Sequence, residues 1–463
     1  MAAAAIFGLA GAASAKTFVV TKRGDPAPNG CKQRDCSLRE AVIAANARPG
    51  RDVIELPNRR RPYRLAQENT LGGEDGALEG DLDITNHPLI VRHPGKGRAT
   101  IDANGIDRAF EIFAGATTRL KKLTLTGGAQ PSSGGGDGGA VRTDAPLSVF
   151  RSVIRGNVAD DDGGGVDADQ GEPLVIARSA IVRNRGLTGD GGGVNGGGSD
   201  GFVLVRSSRV VRNQAGGEGG GLEAADASVE IVFSTFARNG AASDSGGGVN
   251  NDGAGATAIR RSTFDRNWAG TDGGGLFADG PPVSIVNSTF AGNRADGTGG
   301  AIHARDGASV SLNAVTVARN VADADGEGMI GINGGGLFRL SSVGFEVENS
   351  LVALNVVGAS GSIRNDCAGD SKIDSLGHNL VSTLGPASAC DGFGPPAPGD
   401  IVGVNPRIGK LKRNGGPTQT IALRKRSPAI NKASRASAPK RDQRGAKRKR
   451  KKDIGAYERN VRR

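Results

Sequence analysis

The sequence predicts an all-β chain wound as a parallel β-helix, with a short N-terminal capping helix and an irregular C-terminal cap. Three observations carry this. Glycine makes up 76 of the 463 residues, more than twice its ordinary share of about 7%. A Gly pair or triplet recurs at Gly138, Gly163, Gly191, Gly219, Gly246, Gly273, Gly299 and Gly334, every 25 to 28 residues until a last step of 35. An asparagine keeps the same beat at Asn157, Asn184, Asn213, Asn239, Asn267, Asn293, Asn320 and Asn355. A period of this length belongs to stacked repeats rather than to independent domains.

Each coil reads as strands and turns. In 273–293 (GGGLFADGPPVSIVNSTFAGN) short β-branched runs alternate between Gly, Asp and Asn turns, which is the period of strands rather than helices. Ile154, Ile181, Val210, Phe236, Phe264, Phe290, Val317 and Val352 each stand three residues before a repeat Asn, as an inward column would. About 27 residues suits three short strands per turn, and eight coils stacked at about 4.8 Å give a rod segment of roughly 40 Å. Gly supplies positive-φ turns, and the stacked Asn side chains can bond along the axis. From Asn320 to Gly334 the spacing is 14 residues where it is 6 or 7 elsewhere, so 321–333 is an insertion, expected to project from one turn edge.

Ahead of the regular coils, 81–92, 99–105 and 109–128 supply less regular strands for two further coils. The open end of such a stack must be covered. CSLREAVIAAN (36–46) suits that role: Ser37 and Glu40 form a capping box, and Leu38, Ala41, Val42 and Ala45 share one helical face. Residues 1–15 read as a signal peptide, apolar and ending in Ala13-Ser14-Ala15, too short to span a bilayer. The expected organisation is therefore signal peptide 1–15, N-terminal cap 16–80, β-helix 81–362, and C-terminal coils and cap 363–463.

Four cysteines fit an oxidising compartment. Of three connectivities, the local pairs Cys31–Cys36 and Cys367–Cys390 are expected; no C-x-x-C or nearby His pair favours zinc. The net charge of +11 is unevenly placed. Residues 401–463 hold 21 Lys/Arg against 3 Asp/Glu, so a mildly acidic body carries a basic tail. Its densest stretch is Lys447, Arg448, Lys449, Arg450, Lys451 and Lys452, a solvated loop or a polyanion-binding patch.

CSLREA (36–41), GDLDI (80–84), the GGG and FxxN repeats, NGGPTQT (414–420), SPAI (427–430), RDQRG (441–445) and DIGAYE (453–458) follow in a recognisable order. The set resembles the bacterial CSLREA-domain, choice-of-anchor Q group of secreted β-helix proteins. GGAI (299–302) with FAGN (290–293) is also similar to the repeat of polymorphic outer-membrane adhesins. The resemblance covers nearly all of the chain after the signal segment and implies a right-handed helix and export. It implies little about activity, because this fold hosts lyases, hydrolases and adhesins alike. The run KRKRKK (447–452) departs from the family pattern.

Acids precede the Gly runs at Asp137, Asp162, Asp190, Glu218, Asp244 and Asp272, and Arg183, Arg212, Arg238, Arg266 and Arg319 precede the repeat Asn. Stacked acids about 5 Å apart would repel by roughly 0.9 kcal/mol per pair even in water, and mutual Arg–acid neutralisation is the expected answer. Calcium is the alternative, through Asp160, Asp162 and Asp167 or through Asp323, Asp325 and Glu327 of the insertion, since oxygen ligands on Gly-rich turns suit Ca²⁺. No cofactor is otherwise required. His87, His93, His303 and His378 are expected in turns or at the surface. One Trp and two Tyr give little surface for stacking sugars, and Trp268 reads equally as a packing residue. Three functions follow: a monomeric secreted or cell-surface rod, structural, adhesive or glycan-binding and non-enzymatic; a Ca²⁺-dependent polysaccharide lyase or glycoside hydrolase; or a polyanion binder acting through the basic run. The expected partners are extracellular polysaccharide or cell-wall polymer, not nucleic acid.

Overall fold

In each coil the alternating runs turn their apolar residues inward: Val283 and Ile285 are buried while Ser284 and Val286 are half-exposed. The computed structural model describes residues 15–459 except 59, 70–75, 86, 130–135, 281, 328–332, 341–343, 362, 385–389, 391–392 and 394–396. Residues 1–14 of the expected signal peptide thus lie outside the described residues. One coil runs through Val249–Asp252, Thr257–Arg260, Thr263–Asp265 and Trp268–Ala269 before the next Gly triplet. Stacking places these strands in four sheets of 11, 13, 13 and 9 strands, here called sheets I to IV in that order. Neighbouring coils pair in parallel register throughout sheets I to III. The fold is the parallel β-helix that the repeat predicts.

The expectation of three strands per coil is corrected to four. The strand after each Asn is only two residues long, as at Arg294–Ala295, too short to show an alternation. The inward column holds: Phe236, Phe264 and Phe290 are fully buried. Their rings stack at 5.2 and 4.4 Å, nearly parallel.

Two polar ladders satisfy the turn backbone that such tight winding buries. Asn213 Nδ2 donates to Asn239 Oδ1 at 3.1 Å and to Ile181 O at 3.1 Å, and the pattern repeats from Asn157 to Asn355. Asp366 ends the ladder, accepting from Asn355 Nδ2 at 2.9 Å. A second ladder, not anticipated from the sequence, uses Ser152, Ser179, Ser208, Ser234, Ser262 and Ser288. Each of the first five donates its backbone N–H to the Oγ of the next coil's serine, as Ser179 does to Ser208 at 3.0 Å.

The N-terminal end is closed by the helix Leu38–Asn46 with the anticipated capping box, and Leu38, Ala41, Val42 and Ala45 are buried. Arg39 is buried too. Its guanidinium pairs with Asp25 at 2.9 Å and donates to the carbonyls of Ala77, Glu79, Gly80 and Asp81. Both local disulfides, Cys31–Cys36 and Cys367–Cys390, are formed. Phe393, close to Cys390, is buried in the main core.

The C-terminal segment folds back along the flank of the rod. Ile408, Ile421, Leu423, Ala429, Ala433, Ala438 and Ile454 pack on Ala291, Ala318, Leu351, Ala353 and Leu380 of sheet III. Polar pins accompany them: Thr263 Oγ1 donates to Gln419 O at 2.7 Å, and Ala456 N donates to Thr316 Oγ1 at 3.0 Å. Gln443 of RDQRG lies between the two, its Oε1 accepting from Thr289 Oγ1 at 2.6 Å.

Candidate functional site

The turn from sheet III to sheet IV sets a row of side chains on the outside of the rod. The residue before each ladder Asn has positive φ: 56° at Arg183, 59° at Arg212, 56° at Arg238, 53° at Arg266 and 61° at Arg319. Such a conformation is uncommon for a non-glycine residue. Here the ladder imposes it, because the following Asn must point inward. The arginine side chains at this position are thereby delivered to the same edge, while Gly156 and Gly292 fill it in two other coils.

Where the flank-lying segment begins, this row meets it and a groove results. The hairpin of Ile408–Lys412 and Thr420–Leu423 forms one wall. Arg183, Arg209, Arg212, Arg238, Arg266 and Arg413 line a space of about 590 Å³, with Asp265 as the one carboxylate among the described lining residues. Arg266 lies 3.7 Å from it. All six arginines are exposed, and successive coils set their backbones about 4.8 Å apart. At that spacing neighbouring guanidinium groups repel, by roughly 0.9 kcal/mol even in water. An extended anion would relieve this. Phe233 supplies an aromatic face in the same lining, with the Arg261 guanidinium 5.2 Å from its ring.

The basic run behaves differently from its reading as a uniform patch. Arg448 is buried against Glu458, at 3.3 Å with both side chains inaccessible, and it donates to Asn287 Oδ1 and Gly455 O. It pins the flank segment to the rod. Lys452 donates to the carbonyls of Arg435 and Ala438. Lys447, Lys449, Arg450 and Lys451 remain exposed. Alternation along an extended segment buries the second cation, which charge density alone does not disclose.

The acids preceding the Gly runs are not neutralised by the arginines, contrary to expectation. Sheet IV separates the two rows, so they occupy different turns. Backbone N–H groups of the next coil answer the acids instead: Asp190 N donates to Asp162 Oδ1, Glu218 N to Asp190 Oδ1 and Thr298 N to Asp272 Oδ1, each at 2.6 Å. Burial, reinforced by neighbouring carboxylates, raises Asp162 to about 6 despite its bond from Asp190 N, and raises Glu218 to about 7. Burial also raises Asp137 and Asp190.

Neither expected calcium set is among the groups of three described residues whose ligand oxygens lie within 4.8 Å of one another. Asp323 is buried, its N–H on Gly297 O at 2.8 Å, while Asp325 and Glu327 are exposed. Asp162 belongs to the acidic row, and Asp167 lies under the Gly triplet accepting from Asn195 at 2.9 Å. Asp160 uses its backbone to bind Gly136 O. Among the described residues, carboxylate oxygens gather in threes at Asp81, Asp83 and Glu111 and at Glu218, Glu223 and Asp252. The first group contains Arg108, 2.6 Å from Glu111 and 3.6 Å from Asp81, and is a structural ion-pair cluster.

Two histidines expected in turns or at the surface are buried. His93 hydrogen-bonds Leu56 O at 2.8 Å. His303 sits between the rings of Phe277 and Phe338, at 5.1 and 4.9 Å, where burial lowers its pKa to about 4. Trp268 packs over Gly240, whose backbone leaves no room for a Cβ beneath the indole.

No family model matches the chain, and no curated protein matches its sequence. A solved structure, the crystal structure of pectate lyase Pel9A, is similar over 97% of this chain and 98% of its own, with a TM-score of 0.48 at 17% identity. Among the described residues no helix is long and apolar enough to cross a membrane.

Proposed function

We propose that the protein is a non-catalytic, exported rod that holds an acidic polysaccharide, a polyuronate by class, along its arginine groove. The observation carrying this reading is the groove itself: six exposed arginines from four coils and the flank hairpin, with one carboxylate among them. A linear polyanion matches a linear row of cations, and a guanidinium engages carboxylate in a planar fork. The disulfides support an oxidising compartment, and the CSLREA-type motifs support membership of an exported family. The paired carboxylic acids of a glycosidase, roughly 5 to 9.5 Å apart, have no counterpart among the described lining residues, of which Asp265 is the one carboxylate.

The test is calorimetric titration with a linear polyuronate, with a neutral glucan as control. Binding to the polyuronate alone, weakening steeply with salt, is the expected outcome. The double variant R212Q/R238Q loses about 1–2 kcal/mol, roughly 5- to 30-fold in affinity, while Gln at the exposed positions 447, 449, 450 and 451 changes little. Equal binding by R212Q/R238Q would move the site elsewhere. Release of unsaturated uronate or new reducing ends would replace the binding function with catalysis.

A further inference from the structure

The acidic row contains one place where three carboxylates crowd together and are only partly answered. Glu218 comes from the turn above a Gly triplet, Glu223 from sheet I directly below it, and Asp252 from sheet I one coil later. Their carboxylate oxygens lie within 4.8 Å of one another. Glu223 is 3% exposed, and its Oε2 has no hydrogen-bond partner. The same holds for Oδ1 of Asp252 and Oδ1 of the fully buried Asn250. Arg305, whose charge favours the Glu218 carboxylate, is already paired with Asp279 at 2.8 Å.

An unpaired carboxylate at this depth is costly, and three together cost more. The Asn250 amide faces the two glutamates with its positive end, and the backbone N–H of Asp252 bonds that residue's own carboxylate. Asn250 Nδ2 donates to Glu218 Oε2 at 2.9 Å and to Glu223 Oε1 at 3.3 Å. Gly219 makes the approach possible: its φ is +59°, and a Cβ there would stand 2.6 Å from Glu223 Oε2. The backbone passes over the carboxylate without blocking it.

We propose that Glu218, Glu223 and Asp252 bind a hard divalent cation of the Ca²⁺ class, with Asn250 turning its amide to present Oδ1 as a further ligand. The donor set is oxygen only, carries up to three negative charges and is drawn from two adjacent coils and a turn. That suits the flexible, oxygen-rich coordination of Ca²⁺ better than thiolate- or imidazole-seeking metals. The ion would tie Glu223, Asp252 and the Glu218 turn together and lock two coils in register. The site stands apart from the arginine groove and does not depend on the polysaccharide.

The test uses the full chain and Ca²⁺ alone, after chelation. Calorimetry is expected to show saturable binding to a single site, and the melting temperature to rise with Ca²⁺ because the ion binds only the folded state. E223Q keeps the shape and removes a charge. It is expected to bind at least about tenfold more weakly, the loss typical of removing even a group that merely orients a ligand. In chelator it melts no lower than the parent, since the repulsion is relieved. D325N, in the insertion, is expected to bind as the parent does. No calcium heat in the parent, or undiminished binding by E223Q, overturns the site. Should E223Q fail to fold, D252N gives the same comparison from the rim.

Discussion

At the scale of the residue, the acidic row shows how stacking converts an ordinary surface acid into a pH-dependent liability. Asp162 faces Asp137 in the preceding coil, Asp161 beside it and Asp190 in the following coil, and burial leads the causes that raise it to about 6. Its unfolded value lies near 3.9. Between the two values the folded chain binds a proton that the unfolded chain lacks, so stability falls as pH rises through that window, and the cost is fully present above it. D162N retains the acceptor for the Asp190 N–H and removes the ionisation. Melting curves of D162N and parent are expected to coincide near pH 4 and to separate by pH 8, with D162N the more stable. Parallel pH profiles would show that solvent already screens the row.

At the scale of the element, the C-terminal segment is held by a few buried polar pins more than by regular structure. Arg444 pairs with Asp442 at 2.7 Å and lies 3.9 Å from the Tyr457 ring centre, so RDQRG fastens DIGAYE. Arg448, paired with Glu458, fastens both to the rod by donating to Asn287 Oδ1 at 3.0 Å. Removing one member of a buried pair strands the other charge, and R448A is expected to cost about 3–5 kcal/mol by denaturant unfolding. Replacing Lys447, Lys449, Arg450 and Lys451 by Gln should change stability by no more than about 0.5 kcal/mol. Equal effects from the two variants would mean that Arg448 is solvated.

At the scale of the whole molecule, the flank segment determines which side of the rod is available. It covers Ala291, Ala318, Leu351, Ala353 and Leu380 and begins at the groove, so the same segment both hides an apolar strip and builds a binding wall. A chain ending after Asn405 would expose that strip, and contiguous apolar surface promotes association. Such a chain is expected to self-associate in light scattering and to lose polyuronate affinity along with Arg413. A monodisperse truncated chain with undiminished affinity would make the segment an ornament.

The period of Gly and Asn determined the fold, because a one-dimensional stack repeats the same demands in every coil: positive φ at the triplet, an amide at the ladder, an apolar ring inside. Ser152, Ser179 and Ser208 repeat just as regularly, five residues before each Asn, and the second ladder was there to be read. The capping helix was legible from Ser37, Glu40 and its apolar face, and the disulfides from their local spacing. The functional edges were not. Whether Arg212 meets Asp190 or Arg238 depends on which turn carries each, and a fourth strand of two residues moved them apart. Whether Arg448 is a ligand or a pin depends on a contact with Asn287, 161 residues away. The convergence of Glu218, Glu223 and Asp252 depends on the fold-back of a Gly turn over sheet I. Local pattern decides how a coil is built; only the packing of coils and flank against one another decides which charges share a site.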